Sequence, residues 1–568
     1  MKRSWIPAVA AYASLTVGLL DIGKVVFPDF GHTRMGEWSD ILPGIVTTVA
    51  RASSLVVGIM LVMIAHALRR GKVRAWRAVV VLLPVSAVVS AVHLHPISAV
   101  ISLALLIVLV AGRREFTALS DPRSRWRALG NLLVLGVIDI GLGYLIVSAR
   151  PKVVAGHPSV LDRLEHVLLG LVGIEGPVTF TVERVSDLVY LSLLALGTLT
   201  AVTTLYLALR PERPNAELTE DDERRLRDLL AKHGERDSLG YFALRRDKSV
   251  LFSPSGKAAI AYRVVYGVML ASGDPIGDRE AWPAAIKAFM TEARRHAWVP
   301  AVIGCGETGG EVWTREAGMS ALEIGDEAVV EVGDFTLEGR AMRNVRQMVN
   351  RTERAGYTCR VCRVADLSDE ERERVKQAAD AWRGTEIERG YSMALGRFGD
   401  PADAGCLVAT AHKDDELKAV LHFVPWGPHG ISLDLMRRDR GAEPGLNELL
   451  IVKTLQAAPR LGITQVSLNF AMFRAALARG ERLGAGPVLR AWRGLLIFLS
   501  HWFQIESLYR FNAKFRPIWE PRFVVYPNAR DLPRIGVSAL QAEAFITLGR
   551  PRRRRLRLPR FRTAPLAS

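Results

Sequence analysis

Six apolar stretches in the first 209 residues constrain the fold of this chain more than any other feature. They are approximately Ile6–Phe27, Ile41–Leu68, Ala78–Val92, Ile97–Ala111, Ala128–Val147 and Leu188–Leu209. Because ~20 residues of helix cross a hydrocarbon core, the stretches predict a membrane α-helical bundle of about six spans. The third and fourth are short and joined by His93-Leu-His-Pro96, so a re-entrant hairpin is the alternative there. Hydrophobic residues make up 49% of the 568 residues, too many for a wholly soluble protein.

The distribution of basic residues favours six spans. They cluster before the first stretch, between the second and third, and between the fourth and fifth, which places all three clusters on one side. The loop 148–187 falls on the other side, and a helix at Val160–Val172 is expected to lie at the interface. An even number of spans predicts a multi-pass protein of the cell membrane, with everything after Arg210 in the cytoplasm. Asp21 and Lys24 follow the first apolar run without a cleavage signature, so it is not expected to be a cleaved signal peptide.

Two ionisable residues lie within the predicted spans, Arg51 and Asp139. Charged groups at membrane depth need partners or a water-filled cavity. One interpretation is that they line a lipid-access groove between helices. The other is that they have only a structural role, either as an ion pair or by extending their charged groups to the membrane interface.

The formal charge of +17 predicts polyanionic partners, either an anionic membrane surface or nucleic acid. The Arg-rich tail 550–568 fits both. Four cysteines, all beyond the apolar region, suggest a reducing compartment. Cys359 and Cys362 lie in an alternating, strand-like run without a second pair, so we interpret them as thiols on a strand and predict no metal site.

A soluble domain is predicted to begin after the Pro-rich segment Arg210–Asn215, with a helix whose first turn is capped by Thr219 and Asp222. Two rounds of alternating strands and helices follow, which predicts a duplicated α+β acyltransferase. Strands are expected at Tyr241–Phe252, Ala258–Val264, Gly267–Ser272, Val299–Ile303, Tyr357–Val364, Cys406–Ala411, Leu417–Val424, Gly430–Met436 and Gln465–Leu468, and helices at Trp282–His296, Leu337–Ala355, Asp369–Trp382 and Gly445–Leu461. The predicted domains are 1–211 (transmembrane), 212–549 (cytoplasmic) and 550–568 (polybasic tail).

An acyl-CoA enzyme is expected to carry a Gln/Arg-x-x-Gly-x-Gly/Ala loop for the pyrophosphate. Arg482-Leu-Gly-Ala-Gly486 has the wrong spacing, so acyl-CoA is disfavoured as donor and no cofactor is predicted.

Charged and aromatic residues are concentrated between residues 506 and 523. Glu506, Tyr509 and Arg510 share one helical face, Lys514 lies one turn further, and Pro517 ends the helix. The alternative is an amphipathic helix with a solvated charged face.

Two further motifs carry opposed or clustered charges. Asp434 and Arg437 lie at the end of the predicted strand Ile431–Leu435, where they would orient a hydroxyl and a phosphate or form a buried salt bridge. In the helix around residues 342–357, one cationic face would bind an RNA backbone or remain solvated. That face contains Arg343, Arg346, Asn350 and Arg354.

These motifs together resemble the phosphatidylglycerol lysyltransferase family, the multiple peptide resistance factors, over about Asp237–Tyr526. The matching segments are Asp434-Leu-Met-Arg437 with Pro444–Leu450, Lys514–Arg522, and Met342–Tyr357. The resemblance implies a tandem GNAT-like fold that transfers an aminoacyl group, here lysyl, from aminoacyl-tRNA to a glycerol hydroxyl of phosphatidylglycerol, which lowers the negative charge of the membrane.

The resemblance also implies site residues. The expected catalytic residues are Asp434, Arg437, Glu506 and Lys514. The expected substrate-binding residues are Arg343, Arg346, Asn350, Arg351, Tyr509, Arg510, Arg516 and Arg522. Lys514 would face a phosphate or the oxyanion, and Glu506 the α-ammonium of the aminoacyl group.

Two other functions stay open at this point. One is aminoacyl or acyl transfer to another acceptor, such as a cell-wall precursor. The other is a lipid-binding or transport protein with a degenerate transferase domain. The membrane half is shorter than in larger family members, which leaves lipid flipping open, and the charged tRNA is expected from a separate synthetase. The amino acid, the tRNA contacts and the oligomeric state are not determined by the sequence.

Overall fold

The computed structural model describes residues 6–26, 58–65, 67–69, 72–92, 96–116, 124–149, 153–209, 216–384, 389–472 and 505–545. The chain divides into two compact units. The first comprises Met1–Pro214 with Met290–Val299, and the second comprises Asn215–Phe289 with Pro300–Ser568. Among the predicted features, Arg51 and the tail 550–568 lie outside the described residues.

The first unit is helical. Its helices are α1 (Ile6–Val26), α2 (Val73–Val92), α3 (Pro96–Ala111), α4 (Ser124–Ser148), α5 (Val160–Leu171) and α6 (Glu183–Leu209). Residues 58–65 and 67–69, from the second predicted stretch, are also helical. In the described part of the chain, two segments are long and apolar enough to cross a membrane, Trp126–Ser148 and Glu183–Ala208. Six spans therefore remain a prediction.

Polar side chains connect α4 to α6. Asp139 is 5% exposed and accepts a hydrogen bond from the Thr200 hydroxyl at 2.7 Å. Further along the same two helices, the Asn131 amide of α4 donates to the hydroxyls of Thr203 and Thr204 of α6 at 3.1 and 3.0 Å. A buried polar group without a partner is costly, so these contacts fix how the two helices face each other.

The second unit, taken with the segment Met290–Val299 that completes one of its helices, is a mixed α+β structure, as predicted. Its helices are α7 (Glu220–His233), α8 (Trp282–Arg295), α9 (Glu307–Ala317), α10 (Arg343–Arg354), α11 (Asp369–Trp382), α12 (Leu446–Ala457), α13 (Ile505–Ala513) and α14 (Leu532–Ala542). Its strands are β1 (Ser249–Phe252), β2 (Ala258–Val265), β3 (Val268–Ser272), β4 (Ile276–Gly277), β5 (Val299–Cys305), β6 (Ser320–Glu331), β7 (Thr358–Arg363), β8 (Leu407–Lys413), β9 (Glu416–Trp426), β10 (Gly430–Arg438), β11 (Gln465–Met472) and β12 (Ile518–Tyr526). As predicted, Thr219 caps α7 by accepting a hydrogen bond from the Asp222 amide at 3.2 Å.

One continuous sheet joins the two rounds of the chain, in the order β1-β2-β3-β5-β12-β6-β11-β10-β9-β8-β7. The two rounds exchange a strand. β6, which closes the first round, pairs with β11 of the second, and β12, which closes the second, pairs with β5 of the first. β6 and β12 then pair with each other antiparallel. Hydrogen bonds at the centre of the sheet therefore join the two rounds, and each round stabilises the other.

Most predicted elements are confirmed, and the differences have local causes. The first part of the predicted strand Tyr241–Phe252 is wrong, because Gly240–Leu244 forms a 3-10 helix. The predicted helix Leu337–Ala355 begins only at Arg343. The central strands β6 and β12 were not predicted, since β12 contains Pro521 and alternating charges that read as a loop.

Candidate functional site

A cavity of about 160 Å³ lies between helix α11, the end of β10 and the loop that precedes β8. Its lining residues are Lys376, Ala379, Asp380, Arg383, Gly396, Arg397, Phe398, Asp434, Leu435 and Arg437. Two of the predicted catalytic residues, Asp434 and Arg437, thus line one cavity.

A β-bulge in β10 directs Asp434 toward this cavity. Leu433 pairs with Phe423 of β9, but the next paired residue of β10 is Leu435, opposite His422, so Asp434 is the inserted residue. Leu433 and Phe423 belong to the hydrophobic core with α10 and α12. Side chains alternate across a sheet, which places His422 and Asp434 on the other face.

The Asp434 carboxylate is held by two donors. Oδ1 accepts a hydrogen bond from the Leu395 amide at 2.6 Å, and Oδ2 lies 2.7 Å from Nδ1 of His422. The side chains of His422 and Asp434 are 1% and 3% exposed. The Phe398 ring packs edge-on against the imidazole at 4.9 Å.

The surroundings of the histidine behind Asp434 favour its protonated form. Burial opposes its charging, but hydrogen bonds to Asp434 and Cys406 outweigh burial and raise the pKa of His422 to about 10. The dyad is therefore an imidazolium with a carboxylate. A carboxylate in this state orients a hydroxyl that donates to it better than it removes a proton.

Cations outnumber carboxylates around the cavity: Lys376, Arg383, Arg397 and Arg437 face Asp380 and Asp434. Arg437 donates to the Ala379 carbonyl at 2.7 Å and lies 3.8 Å from Asp380. Asp434 is paired with His422, and Arg383 and Arg437 share the one carboxylate of Asp380 at 3.5 and 3.8 Å. The lining therefore favours an anionic ligand, and guanidinium groups suit a phosphate in particular.

Arg397, which the sequence reasoning missed, is anchored by one buried and one half-buried carboxylate, those of Asp403 and Glu223. Its Nε donates to Asp403 at 2.7 Å and its Nη2 donates to Glu223 of α7 at 2.9 Å. Arg227 of α7 and the Tyr241 hydroxyl bind the same Asp403 at 2.7 and 2.8 Å. This network holds the cavity wall against α7, and no spacing in the sequence connects residues so far apart.

Lys514 belongs to a different network. Its Nζ donates to Glu448 of α12 at 2.8 Å, and α12 packs on the sheet face opposite to Asp434. Glu506 lies in α13, with its side chain outside the described part of the structure. The cavity lining therefore includes Asp434 and Arg437 but not Lys514, and a single site containing all four residues stays a prediction.

The predicted substrate-binding residues near Lys514 lie on or after α13. Tyr509 packs against Trp519 with ring centroids 4.9 Å apart, while Arg510 and Arg516 are exposed. Arg516 has a φ of +53°, a left-handed conformation that reverses the chain between α13 and β12.

Arg522 is buried in a polar network between the two rounds of the sheet. Its Nε and Nη2 donate to Glu327 of β6, and its Nη1 donates to Asp237 and the Gly304 carbonyl. Nη2 also donates to Ser238 at 2.7 Å. All five N–H groups have acceptors within the protein, so this geometry gives Arg522 a structural role and does not support substrate binding.

The predicted cationic face of α10 is only partly exposed. Arg343, Asn350 and Arg351 are exposed, and Arg351 forms a 3.0 Å ion pair with Glu443. Arg346 instead donates to the backbone carbonyl of Leu337, in the segment before the helix. Cys359 and Cys362 are free thiols on β7, as interpreted from the sequence.

Fold and site together define a two-part protein: an apolar helical region, and a duplicated α+β domain with a cationic cavity beside a bulged strand. Residues 227–526 match the family described as phosphatidylglycerol lysyltransferase, C-terminal. Residues 2–207 match the transmembrane region of lysyl-tRNA synthetase. The chain therefore belongs to the phosphatidylglycerol lysyltransferase family, and its N-terminal part is a membrane region.

Similar proteins include the lysylphosphatidylglycerol biosynthesis bifunctional protein LysX of Mycobacterium marinum, 45% identical over 456 residues. LysX of Rhodococcus opacus is also 45% identical, over 462 residues. The matches cover 79% and 80% of this chain but 40% of each relative, so the chain spans well under half of their length. Among solved structures, L-PGS from Bacillus licheniformis superimposes with a TM-score of 0.50 and 23% identity, over 59% of this chain and 98% of that one. The two share a fold.

Proposed function

We propose that this protein transfers a lysyl group from aminoacyl-tRNA to the glycerol hydroxyl of phosphatidylglycerol and so lowers the negative charge of the membrane. Family membership and the names of the LysX relatives support the reaction. The observation that carries the proposal is the cavity, where Asp434 lies among cations suited to a lipid phosphate. The other predicted site residues, Lys514 and Glu506, would meet the aminoacyl end of tRNA.

The proposed reaction exchanges one ester for another. The glycerol oxygen forms a bond to the lysyl carbonyl carbon, the bond from that carbon to the ribose oxygen breaks, and the hydroxyl proton ends on the ribose. Asp434, held by His422 and Leu395, accepts the hydrogen bond of the glycerol hydroxyl and fixes its direction of attack. Arg437 and Arg383, which line the same cavity, would bind the adjacent phosphate.

The proposed tRNA surface includes the exposed residues Arg343, Asn350 and Arg351 of α10. Arginine side chains neutralise backbone phosphates, so binding is expected to weaken as salt increases. The membrane partner is an anionic surface.

For the membrane region we propose six spans and a cytoplasmic second unit, with domain boundaries near residues 211 and 549 and a tandem GNAT-like fold for the soluble part. The basic loops and the match of residues 2–207 support this topology. A reporter enzyme that works only in the cytoplasm should be active when it is fused after Arg210. Activity of a periplasmic reporter there would contradict the proposal, because charged tRNA would be out of reach.

The direct test is incorporation of labelled lysine into lipid extracts by the full chain, with charged tRNA and phosphatidylglycerol. Asp434→Asn keeps the shape of the side chain and should abolish incorporation. Asp369→Asn, at a 94% exposed carboxylate of the same domain, is the matched control and should retain it. Lysyl-lipid formation by Asp434→Asn at the wild-type rate would remove Asp434 from the mechanism. Label in cell-wall fragments but not in lipid would change the acceptor.

A further inference from the structure

Helix α5 lies alongside the two long apolar helices of the membrane region. At its start, the Arg163 guanidinium donates to the Ser148 hydroxyl at the end of α4 at 3.2 Å. One turn later, Val167 approaches Gly143 so closely that an added Cβ would lie 2.6 Å from it. Residue numbers thus rise along α5 as they fall along α4, and the two helices run antiparallel side by side.

The end of α5 reaches far along α6. The Leu171 carbonyl lies so close to Gly197 that an added Cβ would be 1.8 Å away. Leu171 is eight residues beyond Arg163, or about 12 Å along a helix, and Gly197 is nine residues beyond Leu188, or about 14 Å. Arg163 lies beside the end of α4, and Leu188 begins the apolar stretch of α6, so both mark the edge of the hydrocarbon core. Counted from that edge, both distances place the tip of α5 close to the middle of a core ~30 Å thick.

The backbone at this tip is satisfied by the segment itself and by α6, since the Gly173 carbonyl accepts a hydrogen bond from the Tyr190 hydroxyl at 3.2 Å. The amides of Gly173 and Ile174 donate to the carbonyls of Gly170 and Leu169 at 3.0 and 2.9 Å, and Gly173 has a φ of +80°. This closed helix end leaves few carbonyls in need of water. In lipid such closure is required, because no water is available to pair an unsatisfied backbone group. The opposite end of α5 is polar, with a Ser159–Asp162 capping box.

The side chains show the same polarity along the helix. No polar side chain occurs from Val167 to Ile174, and Leu168, Val172 and Ile174 are 46%, 61% and 40% exposed. These residues continue the apolar exposed surface of α4 and α6. The first charge afterwards is Glu175, and by then the chain has turned back, since Gly176 packs against the backbone of His166.

We propose that residues 153–182 form a re-entrant hairpin whose tip, Val167–Ile174, is inserted among the lipid acyl chains of the leaflet next to the 149–182 loop. This differs from the interfacial helix expected from the sequence, because an interfacial helix lies along the membrane plane and not antiparallel to a span. The bound partner is lipid hydrocarbon, and the hairpin fixes α4 and α6 at a set depth. The proposal is independent of the transferase function.

Photo-crosslinking of the full chain in phosphatidylglycerol–phosphatidylcholine vesicles tests this insertion. A benzophenone amino acid is placed at Val172, at Val137, a lipid-facing position of α4 that is 71% exposed, or at His157 in the polar loop. Mass spectrometry should find acyl-chain adducts at Val172 and Val137 but not at His157. Adducts of Val172 with a second polypeptide, or none while Val137 reacts, would overturn the proposal.

A stability measurement provides a second, independent readout. A charged residue near the bilayer centre strongly opposes membrane insertion, whereas an exposed polar loop tolerates it. Val172→Lys should therefore lower the yield of membrane-inserted protein strongly, and His157→Lys should leave it unchanged. Equal yields of the two variants would place the tip in water.

Discussion

Replacement of Arg522 by Met tests whether the network between the two halves of the sheet stabilises the protein. The Arg522 side chain is 5% exposed and its ion-pair partners Glu327 and Asp237 are 0% and 8% exposed. Removal of one member of a buried ion pair costs about 3–5 kcal/mol, because the remaining charges lose their partner in a medium of low polarity. At 2–4 °C per kcal/mol, the midpoint of thermal unfolding should fall by roughly 6–20 °C.

The assay is thermal unfolding of the full chain in detergent, followed by circular dichroism. Arg360→Gln is the matched control, because its ion pair with Glu371 is exposed at 48% and 32% and is worth less than about 1 kcal/mol. The double variant Arg522→Met with Glu327→Gln should recover part of the loss, since it removes one orphaned charge. If Arg522→Met shifts the midpoint no more than Arg360→Gln, the network is not what joins the halves.

Three further predictions concern the dyad, a buried lysine and the helix contact in the membrane. His422→Leu should lower lysyl-lipid formation about 10–100-fold in kcat while the KM for tRNA stays unchanged, and His422→Asn, which keeps a donor near Nδ1, should retain most activity; equal rates would contradict a positioning role. Burial lowers the pKa of Lys248 from 10.5 to about 7. Between these two pH values Lys248 is therefore neutral in the folded protein and protonated in the unfolded chain. The free energy of unfolding should rise with pH over this range. Denaturant midpoints should show this slope in the wild type but not in Lys248→Met, and an identical slope would exclude Lys248 as its source. Gly197→Leu should lower the unfolding midpoint, because the Leu171 carbonyl fills that space, whereas Gly141→Leu, with nothing within 4 Å of an added Cβ, should not.

The sequence determined which parts of the chain are apolar and which alternate between helix and strand. Periodicity is a local property, so α11 was predicted at its observed bounds, Asp369–Trp382, and β2 within one residue. Thr219 likewise predicted the start of α7, because an N-cap depends only on the residues of the first helical turn. The motif Asp434-Leu-Met-Arg437 pointed to two residues that do line one cavity.

Only the tertiary structure decided what those residues touch. His422 and Arg397 gained their roles from a bulge in β10 and from carboxylates up to 174 residues distant, relations that no local pattern encodes. Arg522 was expected to bind substrate because it ends the segment Lys514–Arg522, which resembles the signature of the family. In the folded chain Arg522 forms ion pairs with two buried carboxylates, Asp237 and Glu327. The strand exchange makes this possible because it pairs β12 with β6. A charge in a sequence states what a residue can bind, and burial with a partner decides whether that capacity is still available.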